Sequence, residues 1–256
     1  MKLLKSLLAL CPLALLAGCG SADEAPKAGP AVEVKPKVKI TEVKIGEGPA
    51  AAKNDILLVK YRGTFRDGKE FDSNYTGKPP YSVILGQPGV IEGWQDGLLG
   101  MKKGGIRKIE VPWQLAYGET GSSNIPPKTD LLFELKLIDI VKAGEENFVD
   151  TLKEKLGTGP AAADGDTVTI RFTGRLVDDT VIDKEYSTKP HTFKLGAGEA
   201  LPFLEFIVTG MKVGGKRTSR IPPGASGYGP YPQFGGQIPA HSVLIYDVEL
   251  LKLKKK

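Results

Sequence analysis

Side chains suited to acid–base, thiol or metal chemistry are scarce in this sequence. Its 256 residues include two histidines, His191 and His241, and two cysteines, Cys11 and Cys19. Neither pair has the short spacing of transition-metal ligands, and we interpret both histidines as surface or turn residues. The glycine-rich stretch at residues 102–105 lacks the spacing of a phosphate-binding loop. We therefore predict a chain that works without a metal ion or another cofactor.

The first 18 residues have the form of an export signal. A short basic start precedes an apolar run that is too short to span a bilayer comfortably. The run ends in Leu16-Ala17-Gly18-Cys19, which resembles the bacterial lipoprotein signal. The resemblance implies that residues 1–18 are removed and that Cys19 becomes the lipidated first residue. The alternative is a plain signal peptide with an incidental cysteine.

Residues 19–38 are predicted to be the lipidated cysteine and a flexible tether, because they lack apolar periodicity. Several acyl chains would anchor Cys19 stably in a lipid bilayer. Gly20 and Ser21 follow the cysteine. Without an Asp at the second position, the resemblance favours the outer membrane, facing the periplasm, if the cell is Gram-negative. We therefore expect a lipid-anchored protein of the cell envelope.

The charge of the chain argues against a nucleic-acid partner. There are 35 basic and 30 acidic residues, which gives a modest net charge of +5. Both signs are mixed along the chain, and we expect no basic patch of the kind that binds phosphate backbones. We interpret the terminal lysine run, Lys252, Lys254, Lys255 and Lys256, as a solvated tail.

The sequence repeats itself at an offset of about 111 residues. The segment 46–52 recurs at 157–163, and Gly100-Met101-Lys102 recurs as Gly210-Met211-Lys212. This period is too long for a solenoid and indicates two tandem domains, at residues 39–143 and 144–256. Each is large enough to have its own core, and we expect each to fold alone.

Apolar periodicity predicts mostly strands, with one short helix. Residues 106–111 and 131–141 alternate, and residues 55–63 are rich in Ile, Leu, Val and Tyr. Residues 91–99 place apolar side chains at spacings of three and four, which predicts a helix. Antiparallel strands wrapped on one short helix make an α+β arrangement.

Six motifs follow one another along the first repeat: Val59-Lys60-Tyr61-Arg62-Gly63, Phe71-Asp72, Val90-Ile91-Glu92-Gly93-Trp94, Leu115-Ala116-Tyr117-Gly118, Ile125-Pro126-Pro127 and Leu132-Phe133-Glu134-Leu135. With these motifs, the first repeat resembles the FKBP family of peptidyl-prolyl cis–trans isomerases over about 100 residues. The motifs are specific only in combination. The resemblance implies two tandem FKBP-like domains, each an antiparallel, half-wrapped sheet packed on a short helix.

The resemblance also implies an aromatic pocket in the first domain. The implied catalytic residues are Tyr61, Phe71, Asp72, Trp94, Tyr117 and Phe133. The implied further substrate-binding residues are Tyr81, Val90, Ile91 and Ile125. Proline-containing polypeptide clients and the macrolide inhibitors of the family are the implied partners. The alternative interpretation is that these aromatic side chains are ordinary core.

Isomerisation of an X–Pro bond needs no covalent step. The resonance of a peptide bond sets a barrier of about 18–20 kcal/mol, and X–Pro bonds interconvert over tens to hundreds of seconds. The twisted transition state has less charge separation than the planar amide, and an apolar cavity favours it. By resemblance, Trp94 would hold the proline ring and Tyr117 would donate a hydrogen bond to a substrate carbonyl.

The second repeat keeps the frame but changes the implied pocket. The equivalent positions are Phe172, Asp183, Leu204, Tyr228, Ile238 and Tyr246. Leu204 replaces Trp94, and Phe203 replaces Gly93. We therefore expect isomerase activity mainly in the first domain. The alternative for the whole protein is a non-catalytic binding or chaperone lipoprotein that retains the fold.

Overall fold

Alternating apolar side chains form the longest strand of the first repeat. The computed structural model describes residues 35–226 and 228–256, and in it the strand Leu131–Val141 buries every second residue. This is the predicted span, because one face of the strand covers a core while the other is more open to solvent. The predicted strand at residues 106–111 is likewise present.

The first repeat is an antiparallel sheet with one helix packed on it. Its elements are β1 Lys39–Lys44, β2 Glu47–Ala50, β3 Ile56–Thr64, β4 Glu70–Ser73, β5 Tyr81–Ile84, α1 Glu92–Leu98, β6 Lys102–Lys103, β7 Ile106–Val111 and β8 Leu131–Val141. The main sheet has the order β1-β7-β8-β3-β4, with β5 also paired to β3, and β2 pairs with β6. The last strand, β8, pairs with β3 near the start of the repeat. The sheet is therefore complete only when the whole repeat is present.

The second repeat has the same arrangement. Its elements are β9 Asp150–Lys155, β10 Thr167–Leu176, β11 Val181–Asp183, β12 His191–Lys194, α2 Pro202–Val208, β13 Lys216–Ile221, α3 Pro223–Ser226 and β14 Leu244–Lys254. The sheet order is β11-β10-β14-β13-β9, with β12 paired to β10. All pairings in both main sheets are antiparallel, and the predicted α+β class with two tandem domains is confirmed.

Small residues let helix α1 approach the sheet closely. The helix lies one residue inside each end of the predicted span 91–99. A Cβ on Gly93 would lie 2.3 Å from Val111, and one on Gly97 would lie 2.8 Å from Ile109. In the second repeat, Ile207 takes the place of Gly97, and the facing strand has the buried Ser219 where the first has Ile109. At this contact, the larger side chain is therefore on the strand in the first repeat and on the helix in the second.

A buried aspartate joins the end of each repeat to its beginning. Asp55 accepts hydrogen bonds from the amides of Ala52 at 2.7 Å and Ala143 at 3.0 Å, and from Nζ of Lys142 at 2.5 Å. Burial alone would raise the pKa of Asp55, but these hydrogen bonds and the Lys142 charge hold it below its ordinary value. The carboxylate is therefore ionised at neutral pH.

Asp166 repeats this clamp in the second repeat. Its carboxylate accepts hydrogen bonds from the Ala163 amide at 2.9 Å, from Nζ of Lys255 at 2.7 Å and from the Lys256 amide at 3.0 Å. The interpretation of the terminal lysines as a solvated tail is therefore wrong. Lys252 and Lys254 lie on strand β14, where they pair with β10. The ammonium of Lys255 is the counter-charge of an aspartate that is 2% exposed.

The two repeats share an interface of apolar side chains and largely buried ion pairs. Val243 of the second repeat forms a buried cluster with side chains of β3 and β8. Beside it, Nε of Arg220 lies 2.9 Å from Asp139 of β8, whose side chain is 3% exposed. Arg220 also donates to the carbonyl of Ile140 at 2.8 Å. Residues 36–256 form one compact unit, and the expectation that each domain folds alone stays a prediction.

None of the helices in residues 35–226 and 228–256 has the length and apolar character needed to cross a bilayer. The predicted signal, Cys19 and most of the tether lie outside the described residues. The lipid anchor therefore stays a prediction.

Candidate active site

A cavity of about 250 Å³ opens in the first repeat beside helix α1. Its lining residues are Tyr61, Phe71, Asp72, Tyr81, Gly89, Val90, Ile91, Trp94, Tyr117 and Phe133. Nine of the ten residues predicted for the pocket lie on this wall, and helix α1, strands β3, β4, β5 and β8 and two loops supply them. The fold thus brings together side chains that are far apart in the sequence.

Trp94 is the largest side chain of the wall and is 5% exposed. Its ring meets those of Tyr61 and Phe133 edge to face, with centroids 4.9 and 5.5 Å apart. Phe71 continues this packing, again edge to face with Phe133 at 5.6 Å. The glycine at position 63 is required here, because a Cβ on Gly63 would lie 2.5 Å from the Phe71 ring. Interlocked rings of this kind hold one another's orientation, and the cavity is preformed.

Tyr61 and Asp72 form the polar side of the cavity. The Tyr61 hydroxyl donates a hydrogen bond of 2.5 Å to Oδ2 of Asp72. Burial, this hydrogen bond and the Asp72 charge all raise the pKa of Tyr61. Asp72 also accepts a hydrogen bond from the Ser73 amide at 2.8 Å. The carboxylate is therefore engaged by neighbours and held at one edge of the wall.

Tyr117 is 38% exposed and contributes a second hydroxyl to the cavity. It follows the short 3₁₀ turn Trp113–Leu115, which Asp130 fixes by accepting a hydrogen bond from the Trp113 amide at 3.0 Å. Burial, together with the charges of Asp72 and Tyr81, raises the pKa of Tyr117. The hydroxyl is protonated at neutral pH and can donate a hydrogen bond to a bound carbonyl.

The cavity lining differs from the predicted set at two positions: Gly89 lines it but was not predicted, and Ile125 was predicted but does not line it. Tyr81 is 45% exposed, and its hydroxyl points to the carbonyl of Gly89 at 3.5 Å. Gly89 lines the cavity with a φ of 137°, a conformation that favours glycine and that its place before Val90 could have indicated. Ile125 is buried in the domain core and does not line the cavity.

The sequence pattern of the family described as "FKBP-type peptidyl-prolyl cis-trans isomerase" matches this chain twice, at residues 48–138 and 159–251. These two matches cover more than half of the chain. The chain belongs to this family. Both repeats are therefore FKBP domains, and the cavity just described lies in the first of them.

Two curated relatives show how far the likeness extends. Human "Peptidyl-prolyl cis-trans isomerase FKBP9" is 34% identical over 200 residues, which are 78% of this chain and 35% of that protein. FkpA of Escherichia coli is 46% identical over 101 residues, which are 40% of this chain and 37% of FkpA. The FkpA crystal structure has a TM-score of 0.38 at 44% identity, covering 40% of this chain and 47% of that one. This chain thus spans about a third of the length of the curated relatives it matches.

The second FKBP domain fills the corresponding position with its own side chains. Phe203, one residue before the Trp94 position, is 2% exposed, and its ring lies 4.9 Å from that of Tyr246. Tyr246 occupies the Phe133 position, so Phe203 makes the contact that Trp94 makes in the first domain. Leu204, at the Trp94 position itself, is 3% exposed and packs in the core.

A second aromatic ring packs on Phe172, at the Tyr61 position of the second domain. Tyr186 stacks on Phe172 with centroids 4.8 Å apart, whereas its counterpart Tyr75 donates a hydrogen bond to Glu134 at 3.0 Å. Phe172 has no hydroxyl to offer to Asp183, and burial raises the pKa of that carboxyl. Of the remaining equivalents, Ile238 is buried and Tyr228 is half-buried.

The described residues contain no group of three or more His, Cys, Asp and Glu side chains that could hold a metal ion. His191 lies on β12 and packs between Tyr186 and Phe193, at centroid distances of 5.1 and 5.3 Å. His241 lies in a turn with a φ of 53°, and burial lowers its pKa. Neither histidine lines the first cavity.

Proposed function

We propose that this chain accelerates cis–trans isomerisation of X–Pro bonds in polypeptides, at the cavity of the first FKBP domain. The observation that carries the proposal is the combination of a buried indole, interlocked aromatic walls and one hydroxyl donor in a single preformed cavity. Trp94 provides the surface for a proline ring, and Tyr117 provides the donor. Proline-containing polypeptides and the family's macrolide inhibitors are the ligands that such a cavity would take.

The cavity has the polarity that the reaction requires. Asp72 is the only lining residue with a formal charge, and Tyr61 and Ser73 already donate hydrogen bonds to it. Transfer of the planar amide from water into this cavity costs more than transfer of the twisted one, because twisting reduces the charge separation. Tyr117 then donates to a substrate carbonyl and fixes its direction while the C–N bond rotates. The chain makes and breaks no covalent bond.

Activity of the second FKBP domain would be much lower. Its counterpart of the cavity is occupied by Phe203, and Tyr186 covers Phe172. A proline ring would have to displace buried aromatic rings, which costs their packing. One observation favours a binding role for this domain instead: Phe206, Tyr231 and Phe234 are 62, 72 and 65% exposed. Exposed aromatic side chains suit contact with apolar segments of non-native chains.

Replacing Tyr117 with phenylalanine in the full chain should lower kcat/KM for a proline tetrapeptide by roughly 3- to 10-fold. The change removes one hydrogen bond, which contributes about 0.5–1.5 kcal/mol, and keeps the ring. Tyr228→Phe is the matched control, since it removes the equivalent hydroxyl of the second domain. Loss of activity in Tyr228→Phe, with Tyr117→Phe unaffected, would show that the reaction takes place in the second domain and would contradict the proposal.

We also propose that the chain works at a membrane surface in the cell envelope, anchored through an acylated Cys19. The Leu16-Ala17-Gly18-Cys19 order supports this location, together with the apolar run before it and the tether after it. Clients would then be polypeptides that fold after export. In a Gram-negative cell, the residues after Cys19 favour the outer membrane.

Cys19→Ser should move the protein from the membrane fraction to the soluble fraction of cells. The substitution removes the sulfur that would carry the lipid and leaves the two FKBP domains unchanged. Mass spectrometry of the membrane-derived wild type should show an acylated amino-terminal cysteine. A Cys19→Ser protein that stays with membranes after a salt wash would argue against the anchor.

A further inference from the structure

A turn of the second domain lies against the first domain. Residues 177–180 form the turn between β10 and β11, and Val177 packs on the apolar cluster that the two domains share. Next to it, the carboxylate of Asp178 lies 2.9 Å from Nζ of Lys60 on β3. The two side chains are only 13 and 11% exposed. This ion pair is therefore shielded from solvent and joins the two domains.

Lys60 connects this pair to the wall of the cavity. Its Nζ also donates a hydrogen bond of 2.5 Å to the carbonyl of Lys78. Lys78 belongs to residues 74–80, which connect β4 with β5. The connection begins after Asp72 and ends before Tyr81, and both of these residues line the cavity. The position of this segment therefore affects two sides of the wall.

The first domain supplies another anchor for the segment. The buried Asn74 side chain accepts a hydrogen bond from the Tyr61 amide at 2.6 Å and donates one to the Pro79 carbonyl at 3.2 Å. Lys60 is the anchor that depends on the second domain, because a buried ammonium is costly without a counter-charge. The segment is thus held by Asn74 and by the Asp178–Lys60 pair.

The buried lysine is a feature of the first domain. Its counterpart in the second domain, Arg171, is 48% exposed and lies 3.8 Å from Glu249 at the surface. Burial alone would raise the pKa of Asp178, but hydrogen bonds from Lys60 and Thr180 and the Lys60 charge leave it lowered. Asp178 is therefore ionised at neutral pH and serves as the counter-charge of Lys60.

We propose that Asp178 is a positioning residue for the cavity of the first domain. Through Lys60 it fixes the segment that leads to Tyr81, and the second domain thereby becomes part of the catalytic unit. The inference rests on the proposed isomerase function. Without the Asp178 charge, Lys60 should turn toward solvent and release the Lys78 carbonyl. Tyr81 is already 45% exposed and should shift with the segment.

Asp178→Asn in the full chain tests this role. We expect kcat/KM for a proline tetrapeptide to fall by roughly 3- to 10-fold, mainly through a higher KM, and the Tyr81 ring resonances to shift in NMR spectra. Asp178→Glu should restore part of the activity. Asp179→Asn is the matched control, because its neighbouring carboxylate is 86% exposed and pairs with Arg175. In a Lys60→Met background, Asp178→Asn should have little further effect.

Unchanged Tyr81 resonances in Asp178→Asn would overturn the inference, and so would an unchanged kcat/KM beside an active wild type. A wild type without activity would refute the isomerase proposal instead. The Tyr81 resonances would still decide whether Asp178 holds the wall.

Discussion

Trp94→Leu in the full chain is expected to lower kcat/KM for a proline tetrapeptide by about 30-fold. The substitution gives the first domain the residue that the second has at this position. It replaces the indole at the floor of the cavity with a smaller side chain, so that a bound proline ring loses its main packing partner. A 30-fold fall corresponds to about 2 kcal/mol. A protease-coupled isomerisation assay measures the effect, and circular dichroism verifies that the variant is folded.

The matched control is Leu204→Val in the second domain. It makes a small change at the equivalent buried position, and the activity should stay at the wild-type level. A Trp94→Leu variant with wild-type activity would show that the indole does not hold the substrate. An effect of Leu204→Val as large as that of Trp94→Leu would show that both domains catalyse.

Arg220→Met should lower the free energy of unfolding by about 3 kcal/mol, which is roughly 6–12 °C in Tm for a chain of this size. The substitution leaves Asp139 buried between the domains, with Lys103 at 2.7 Å as its remaining cation. Arg220 also donates to the Ile140 carbonyl, and that acceptor loses its partner. Thermal unfolding of the full chain measures the change.

Arg171→Met is the control for this variant. Arg171 pairs with Glu249 at 3.8 Å on the surface, and surface pairs contribute roughly 0–1 kcal/mol. Its Tm should therefore stay within a few degrees of the wild type. If Arg220→Met is as stable as Arg171→Met, the buried pair does not join the domains.

The features that follow from regular periodicity could be predicted from the sequence. Strand β8 has the predicted bounds because its residues alternate without interruption, and helix α1 differs from its prediction by one residue at each end. The aromatic set of the first cavity could be assembled because the family motifs fix its order along the chain. Tyr61, Trp94 and Phe133 lie in elements that the apolar pattern predicts. Phe71, Tyr81 and Tyr117 lie outside those elements, and only the resemblance to the family assigned them to the pocket.

Features that depend on side-chain direction could not be predicted. The sequence places Phe203 beside the Trp94 position, but only the structure shows that its ring contacts Tyr246. Tyr75 and Tyr186 are equivalent in the sequence, yet one ring faces Glu134 and the other stacks on Phe172.

Ion pairs between residues far apart in the sequence could not be predicted either. Asp139 continues the apolar face of β8, and nothing in its local pattern indicates a partner 81 residues further along the chain. Lys255 lies in a basic run that is typical of a solvated terminus, but its partner Asp166 comes from a different part of the repeat. Long-range pairs of this kind depend on tertiary packing, which a local pattern does not contain.

Exchange NMR on a proline peptide in the presence of the full chain tests the central claim most directly. Uncatalysed X–Pro bonds interconvert over tens to hundreds of seconds, too slowly for exchange peaks at mixing times of about a second. We predict strong cis–trans exchange peaks with the wild type and an exchange rate about 30-fold lower with Trp94→Leu, while the Trp94 indole signal of the wild type shifts as peptide is added. An undiminished exchange rate with Trp94→Leu, or peptide-induced shifts centred on Phe203 and Tyr246, would contradict catalysis in the first cavity.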